Sequence, residues 1–141
     1  MRVLVVEDHS DTREMMMRLL SRWGFDVEAA NTLRSGLEHV NRGPYDVILS
    51  DIALPDGTGY ALISEVRRRG DDVMAIALSG YDYPEEVKIA KLTGFDYHLS
   101  KPCDCSELRA LLEDRVNRSH GDREAQNPRR EADGPGSRFM V

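Results

Sequence analysis

The fold of this chain is decided by one short stretch, Val47-Ile48-Leu49-Ser50-Asp51. Three apolar residues in succession predict a strand that is buried on both faces, as in a parallel sheet covered by helices. Similar apolar runs occur at residues 3–6 and 73–78. Polar residues follow each of these runs, so the ends of the strands are where we expect a functional site.

Two further candidate strands, residues 25–29 and 97–99, alternate apolar with polar side chains. Alternation predicts one face that is open to water, so we expect these two strands at the edges of the sheet. Amphipathic segments of helical period lie between the strands, with Ser10 as a candidate helix cap. The segment from Pro84 to Thr93 begins with proline and is followed by Gly94, which are good start and stop signals for a helix.

Strand and helix alternate five times along the chain, and this pattern predicts an α/β fold with right-handed crossovers. We expect a flavodoxin-like, doubly wound sheet of five parallel strands in the order 2-1-3-4-5, with five helices. This order keeps the unbroken apolar runs in the centre. It also places the reversal of direction between the first and third strands, where such sheets bind ligands beyond the carboxyl ends of their strands.

Composition narrows the classes of function. The net charge of −6 over 141 residues disfavours non-specific binding to nucleic acid or to anionic membranes. No apolar stretch has the length of a membrane span and no signal-peptide pattern is present, which predicts a cytoplasmic protein. Cys103 and Cys105 are too close in sequence for a good disulfide, and we interpret them as plain thiols. Residues 1–116 form the expected domain, and residues 117–141 have the composition of a disordered tail.

Polar pairs follow four of the predicted strands: Glu7-Asp8, Ser50-Asp51, Ser79-Gly80 and Lys101-Pro102. Because the carboxyl ends of parallel strands meet at one edge of a sheet, three carboxylates, a hydroxyl and an ammonium are expected to converge there. Clustered carboxylates repel one another unless a cation relieves them, and Mg²⁺ is the hard divalent ion that fits best. The metal and the ammonium together could neutralise the oxygens of a phosphoryl group.

These residues resemble the receiver domain of bacterial response regulators, from Arg2 to about Val116. The acidic pair, the stretch from Asp51 to Gly59, the Ser79-Gly80 step and Lys101-Pro102 all sit at the spacings of that family. The stretch from Gly94 to Pro102 looks most like the receivers attached to hybrid histidine kinases.

The resemblance implies a role for each residue of the site. Asp51 would accept the phosphoryl group from a phosphohistidine of a histidine kinase or a phosphotransfer protein. Asp8, Asp51 and the backbone carbonyl of Ala53 would bind Mg²⁺, and Glu7 would orient a metal-bound water or bind the ion itself. Lys101 would pair with Asp51 and then with a phosphoryl oxygen.

The resemblance also implies a switch. Ser79 would hydrogen-bond the phosphoryl group and pull its loop inward, and Pro102 would follow a cis peptide bond that aims the lysine. Many relatives carry Tyr or Phe at the position of His98, so here the residue could swing inward as a pH-sensitive switch, or it could be a plain half-exposed histidine. Ala53 and Tyr81 stand at the two positions that tune phosphoryl lifetime, and together they predict slow self-dephosphorylation.

The resemblance implies that the output passes through another protein, which is expected to dock on the face of helix 4, strand 5 and helix 5. The chain itself is expected to be a monomer or a weak homodimer.

Three rival interpretations are a docking module that signals without phosphorylation, a phosphatase with a phospho-aspartyl intermediate and a flavin carrier. Ala53 argues against the phosphatase, because such enzymes carry a second aspartate there. Glu7 and Asp8 would repel a flavin phosphate. Asp56 is interpreted as a turn residue and His9 as a surface loop residue.

Overall fold

A computed structural model describes residues 1–80 and 84–121, with side chains up to residue 118. Five parallel strands form the central sheet: β1 (Arg2–Val6), β2 (Asp26–Ala30), β3 (Val47–Asp51), β6 (Met74–Ser79) and β7 (Tyr97–Ser100). Their spatial order is β2-β1-β3-β6-β7. This confirms the predicted order, in which the unbroken apolar runs are central and the alternating segments are the edges.

Five helices cover the sheet: α1 (Ser10–Arg22), α2 (Leu33–Arg42), α3 (Gly59–Arg68), α4 (Pro84–Thr93) and α5 (Cys105–Gly121). Alternate residues of each strand point to opposite faces. Leu4 and Val6 of β1 therefore belong to the core beneath α2, α3 and α4. Val3 and Val5 belong to the core beneath α1 and α5, beside Met16. Each fully buried aliphatic side chain contributes roughly 1.5–3 kcal/mol to stability.

A short antiparallel hairpin, β4 (Ala53–Leu54) and β5 (Gly57–Thr58), follows β3 and was not predicted. Its strands are two residues long, which is too short for a periodic pattern to show in the sequence. Ala53 pairs with Thr58 and Leu54 pairs with Gly57. The hairpin folds the segment after Asp51 back toward the sheet, and Thr58 then caps α3 by accepting a hydrogen bond from the Ala61 amide.

The structure corrects three local expectations. Ser10 is the first residue of α1 instead of its cap, because the carbonyl of His9 already accepts the first hydrogen bond of the helix, from the Arg13 amide. The expected wetter face of β7 is wrong: Tyr97, His98 and Leu99 are all buried, since helices cover both faces of this edge strand. Finally, α5 runs to Gly121, so the boundary placed after Val116 falls inside a helix.

Other expectations lie outside the described residues, namely the role of Tyr81 and the nature of the tail beyond residue 121. Within the part of the chain that the structure describes, no helix is both long enough and apolar enough to span a membrane.

Candidate functional site

The site lies where β1 and β3 end, at the reversal in strand order. Val6 of β1 is level with Ser50 of β3, and Asp51 is level with Leu78 of β6. The residues that follow these strands therefore project from one edge of the sheet. Beyond β7, the Lys101 amide donates a hydrogen bond to the Ser79 carbonyl at 2.8 Å, which ties the last strand end to its neighbour.

Lys101 links two carboxylates. Its Nζ lies 2.9 Å from Asp51 Oδ2 and 3.0 Å from Glu7 Oε1. Glu7 is fully buried and Asp51 is only 6% exposed, so the carboxylate of each pair has little contact with water. Removal of the lysine would leave both buried acids without their partner cation, which is strongly destabilising. The lysine thus fixes the positions of the two acids relative to each other.

The two acids respond differently to this arrangement. Burial opposes ionisation of Glu7, but hydrogen bonds from Lys101 and from the His9 backbone outweigh it and hold the pKa of Glu7 below its usual value. Burial, reinforced by the charge of Glu7, raises the pKa of Asp51 despite its hydrogen bond from Lys101. Burial works against the charged lysine too, yet the two carboxylates raise the pKa of Lys101. Glu7 is therefore the firmer partner of the lysine, and Asp51 is the acid whose charge is least stabilised.

Asp8 brings a third carboxylate to the same place. Ligand atoms of Glu7, Asp8, His9 and Asp51 all lie within 4.8 Å of one another. Three carboxylates against the single ammonium of Lys101 leave two negative charges. A divalent cation would balance them, and carboxylate oxygens are the donors that Mg²⁺ prefers. The residues present therefore fit a magnesium ion in both charge and donor chemistry.

Two residues brace the acidic loop in ways that its sequence did not signal. The guanidinium of Arg13 donates to the backbone carbonyls of Glu7 at 2.9 Å and of Asp8 at 3.3 Å. The His9 amide donates to Glu7 Oε2 at 3.1 Å, so the loop turns back on its own carboxylate. The spacing from Glu7 to Arg13 across the start of α1 could have suggested the first contact, but an arginine on a helix is usually solvated.

The hairpin after Asp51 is held at both ends. The Gly59 amide donates to the Ile52 carbonyl at 2.8 Å, and a side chain at Gly59 would lie only 2.4 Å from the Asp51 carbonyl oxygen. Asp56 accepts hydrogen bonds from the amides of Leu33 and Arg34 at 2.7 and 3.0 Å, which lowers its pKa. Asp56 therefore caps the first turn of α2. This is a more specific role than that of the turn residue predicted from the sequence.

The structure places the remaining predicted residues as follows. Ser79 is 4% exposed at the end of β6. The Lys101–Pro102 peptide bond is cis, as the resemblance implies. Ala53 is exposed in β4, two residues after Asp51. His98 is only 1% exposed and faces the side of the sheet opposite to Tyr97 and Leu99, so the half-exposed histidine that we considered is wrong.

Comparison with known proteins agrees with this geometry. The family model described as "Response regulator receiver domain" matches residues 3–113. This chain belongs to the response regulator receiver family. Receiver domains act in two-component phosphorelay signalling, and phosphorylation and Mg²⁺ are typical of them.

Individual relatives show how far the receiver match extends. An uncharacterised 14.6 kDa protein from Leptolyngbya boryana is 35% identical over 80% of this chain and 88% of its own length. The response regulator protein PilR of Pseudomonas aeruginosa is 30% identical over 79% of this chain, but only over 25% of its own length. The solved receiver domain of the Francisella response regulator 1452 superposes with a TM-score of 0.79, covering 84% of this chain and 98% of that domain at 26% identity.

Proposed function

We propose that this receiver is a phosphorylation switch in which Asp51 accepts a phosphoryl group in the presence of Mg²⁺. The observation that carries this proposal is the position of Asp51, a buried carboxylate whose Oδ2 lies 2.9 Å from Lys101 and whose neighbours are two more acids. In the metal-free protein, burial raises the pKa of Asp51, so its carboxylate is more basic than a solvated aspartate and suited to attack an electrophilic phosphorus.

The transfer step uses residues that are already in place. A carboxylate oxygen of Asp51 forms a bond to phosphorus as the bond from phosphorus to a histidine nitrogen breaks, and the imidazole leaves with its electron pair. The Lys101 ammonium is within reach of the added oxygens and offsets their charge. Bound Mg²⁺ would supply further charge neutralisation. Asp8, Asp51 and the carbonyl of Ala53 would hold it, and Glu7 would orient a metal-bound water or bind the ion itself.

The phosphoryl donor is proposed to be a sensor histidine kinase or a histidine phosphotransfer protein, as part of a cytoplasmic phosphorelay. The likeness of residues 94–102 to receivers of hybrid kinases supports a multistep relay. A surface groove of about 410 Å³ runs along α1, directly after the acidic loop. Four charged residues and two apolar residues line it, and one of the apolar residues, Met15, is 53% exposed. A donor helix that docks there would bring its phosphohistidine beside Asp51.

The output partner is proposed to bind the face formed by α4, β7 and α5. Ile89 and Leu92 of α4 are 43% and 78% exposed, and their spacing of three residues places them on one side of the helix. Large exposed apolar side chains that lie together mark an interaction surface. The proposed switch residues are Ser79, buried at the end of β6, and His98, buried within β7. We also propose that the chain is a monomer or a weak homodimer.

The test is incubation of the full chain with acetyl phosphate and Mg²⁺, followed by intact-mass spectrometry. We expect wild type to gain the mass of one phosphoryl group, and we expect no gain without Mg²⁺ or in an Asp51→Asn variant. A slow loss of this mass after removal of the donor would support the lifetime predicted from Ala53 and Tyr81. No gain under any condition would favour the rival docking module, which signals through binding of the unmodified domain.

A further inference from the structure

His9 lies at the edge of the acidic cluster and has no task in the proposed transfer step. Its side chain is 72% exposed, yet its Nδ1 lies 3.2 Å from Glu7 Oε2 and 3.7 Å from Asp8 Oδ1. The His9 amide donates to the same oxygen, Glu7 Oε2, so the backbone of His9 is held beside this carboxylate. The imidazole therefore faces the carboxylates on one side and solvent on the other.

The distances of the His9 nitrogen from the two carboxylate oxygens, 3.2 and 3.7 Å, lie between those of adjacent and of opposite ligands of one metal ion. Two adjacent ligands of an octahedral ion with bonds of about 2.1 Å are about 3.0 Å apart, and two opposite ligands are about 4.2 Å apart. The ligand atoms of Glu7, Asp8, His9 and Asp51 lie within 4.8 Å of one another. A ring nitrogen at 3.2 Å and 3.7 Å from two carboxylate oxygens needs only a small adjustment to share an ion with them, and solvent exposure leaves the ring free to make it.

We propose that His9 is a nitrogen ligand at this cation site, which shifts the preference of the receiver toward divalent ions that bind imidazole. This inference rests on the proposed function, because it adds a ligand to the metal site of that switch. A neutral imidazole with its proton on Nε2 presents the Nδ1 lone pair to the ion. Imidazole suits Ni²⁺, Co²⁺ and Zn²⁺, whereas Mg²⁺ prefers oxygen, so the site can take an ion from either class.

The competing explanation is that His9 serves only as a hydrogen-bond partner of Glu7. His9→Gln separates the two, because the glutamine amide keeps a hydrogen-bond donor and an oxygen donor but removes the imidazole. His39→Gln is the matched control, since His39 lies on α2 with its Nδ1 2.9 Å from the Ser35 carbonyl oxygen. Cys105→Ser is the second control, because an exposed thiol could bind the same ions.

The experiment measures Mg²⁺ and Ni²⁺ binding to the full chain in separate calorimetric titrations. Loss of an outer partner of a metal ligand already costs about tenfold in affinity. We therefore expect His9→Gln to lower the ratio of Ni²⁺ to Mg²⁺ affinity by at least about tenfold, and both controls to keep the wild-type ratio. The visible spectrum of bound Co²⁺ should also change in His9→Gln alone, since it depends on the ligand atoms.

The outcomes separate this inference from the proposed function. An unchanged affinity ratio and Co²⁺ spectrum in His9→Gln would overturn the inference, while Mg²⁺-dependent labelling of Asp51 in the same preparations would leave the switch intact. Ni²⁺ binding that disappears in Cys105→Ser would place the ion on the thiol and would also overturn it. If wild type binds no divalent ion and Asp51 stays unlabelled, both proposals fail.

Discussion

Asp51 and Glu7 compete for one lysine, and the competition is uneven. Lys101 lies at nearly equal distances from the two acids, 2.9 and 3.0 Å. Glu7 receives additional hydrogen bonds from His9, which help to keep its pKa low, whereas burial and the neighbouring charge of Glu7 raise the pKa of Asp51. The negative charge of Asp51 is therefore less favourable in the folded protein than in water. This difference leads to a prediction about the free energy of unfolding.

We expect Asp51→Asn to raise the free energy of unfolding at neutral pH in metal-free buffer. Because burial raises the pKa of Asp51 in the folded state, folding opposes its ionisation. That cost is complete above the folded pKa and vanishes as pH falls below the unfolded value of about 3.9. Urea unfolding across this range should show the gain of the variant shrinking toward acid pH. Glu14→Gln, on the exposed side of α1, is the control. A variant that is less stable than wild type at neutral pH would mean that pairing with Lys101 outweighs burial.

Gly59 gives a second prediction at the scale of one residue. A Cβ at this position would meet the Asp51 carbonyl at 2.4 Å, a backbone atom that cannot move without displacing the acid. We expect Gly59→Ala to lower the free energy of unfolding by about 1–3 kcal/mol and to slow labelling by acetyl phosphate. Gly36→Ala is the matched control, because its Cβ would make only ordinary contact at 3.5 Å. Equal stability of both variants in urea would show that the hairpin tolerates the methyl group.

The principal residues of the site could be predicted from the sequence because they lie at the ends of segments whose apolar patterns predict strands. Asp51 and Glu7 lie at strand ends, and the topology alone brings strand ends together. Arg13 and Asp56 could not be assigned in this way, because their contacts are to backbone groups brought close only by the loop geometry. A pattern of residue types carries information about burial, and very little about which amide a surface side chain will meet.

Among the helices and strands, α3 and α4 are joined by a contact that links the segment after Asp51 to the proposed output face. Tyr60, directly after Gly59, donates a hydrogen bond to Glu86 Oε1 in the first turn of α4 at 2.9 Å. Its ring packs edge-on against Phe95, with centroids 6.5 Å apart. Burial and the hydrogen bond to Glu86 raise the pKa of Tyr60 to about 12, so the hydroxyl keeps its proton at physiological pH.

Tyr60→Phe should loosen α4 without removing the ring contact. A hydrogen bond of this kind contributes about 0.5–1.5 kcal/mol, so the first turn of α4 should open more often. Hydrogen exchange over residues 84–93 should become several times faster, while the amides of α2 keep their wild-type rates. Glu86→Gln retains the accepting oxygen and is expected to resemble wild type. Unchanged exchange in Tyr60→Phe would mean that packing against Phe95 alone holds the helix.

The helices and strands also show where the periodicity of apolar residues is insufficient to predict burial or the end of an element. The long apolar runs predicted β1, β3 and β6 because a strand buried on both faces has a composition that few other elements share. In β7 the polar residues His98 and Ser100 predicted a solvent-exposed face, yet His98 is buried because helices cover both sides of the sheet edge. The boundary between domain and tail was placed inside α5, since the last turns of this helix are polar and carry no apolar stripe.

At the scale of the whole molecule, the acidic site sits in a chain of net charge −6. The field of the other acids adds to the local repulsion among Glu7, Asp8 and Asp51, so the folded chain should gain more from a divalent cation than the unfolded chain, in which the three carboxylates are apart. Binding to the folded state alone stabilises a protein by mass action.

We therefore expect Mg²⁺ to raise the unfolding temperature, by an amount that corresponds to about 2.7 kcal/mol when its concentration is a hundred times the dissociation constant. NaCl at matched ionic strength should give a smaller rise, because it only screens the charges. Asp8→Asn removes a carboxylate that Lys101 does not contact, so this variant should fold and yet lose the Mg²⁺ response. Differential scanning calorimetry of both proteins in each salt measures this. An equal response of wild type and variant would mean that Mg²⁺ acts on the overall charge, and the cluster around Asp51 would then have no special affinity for it.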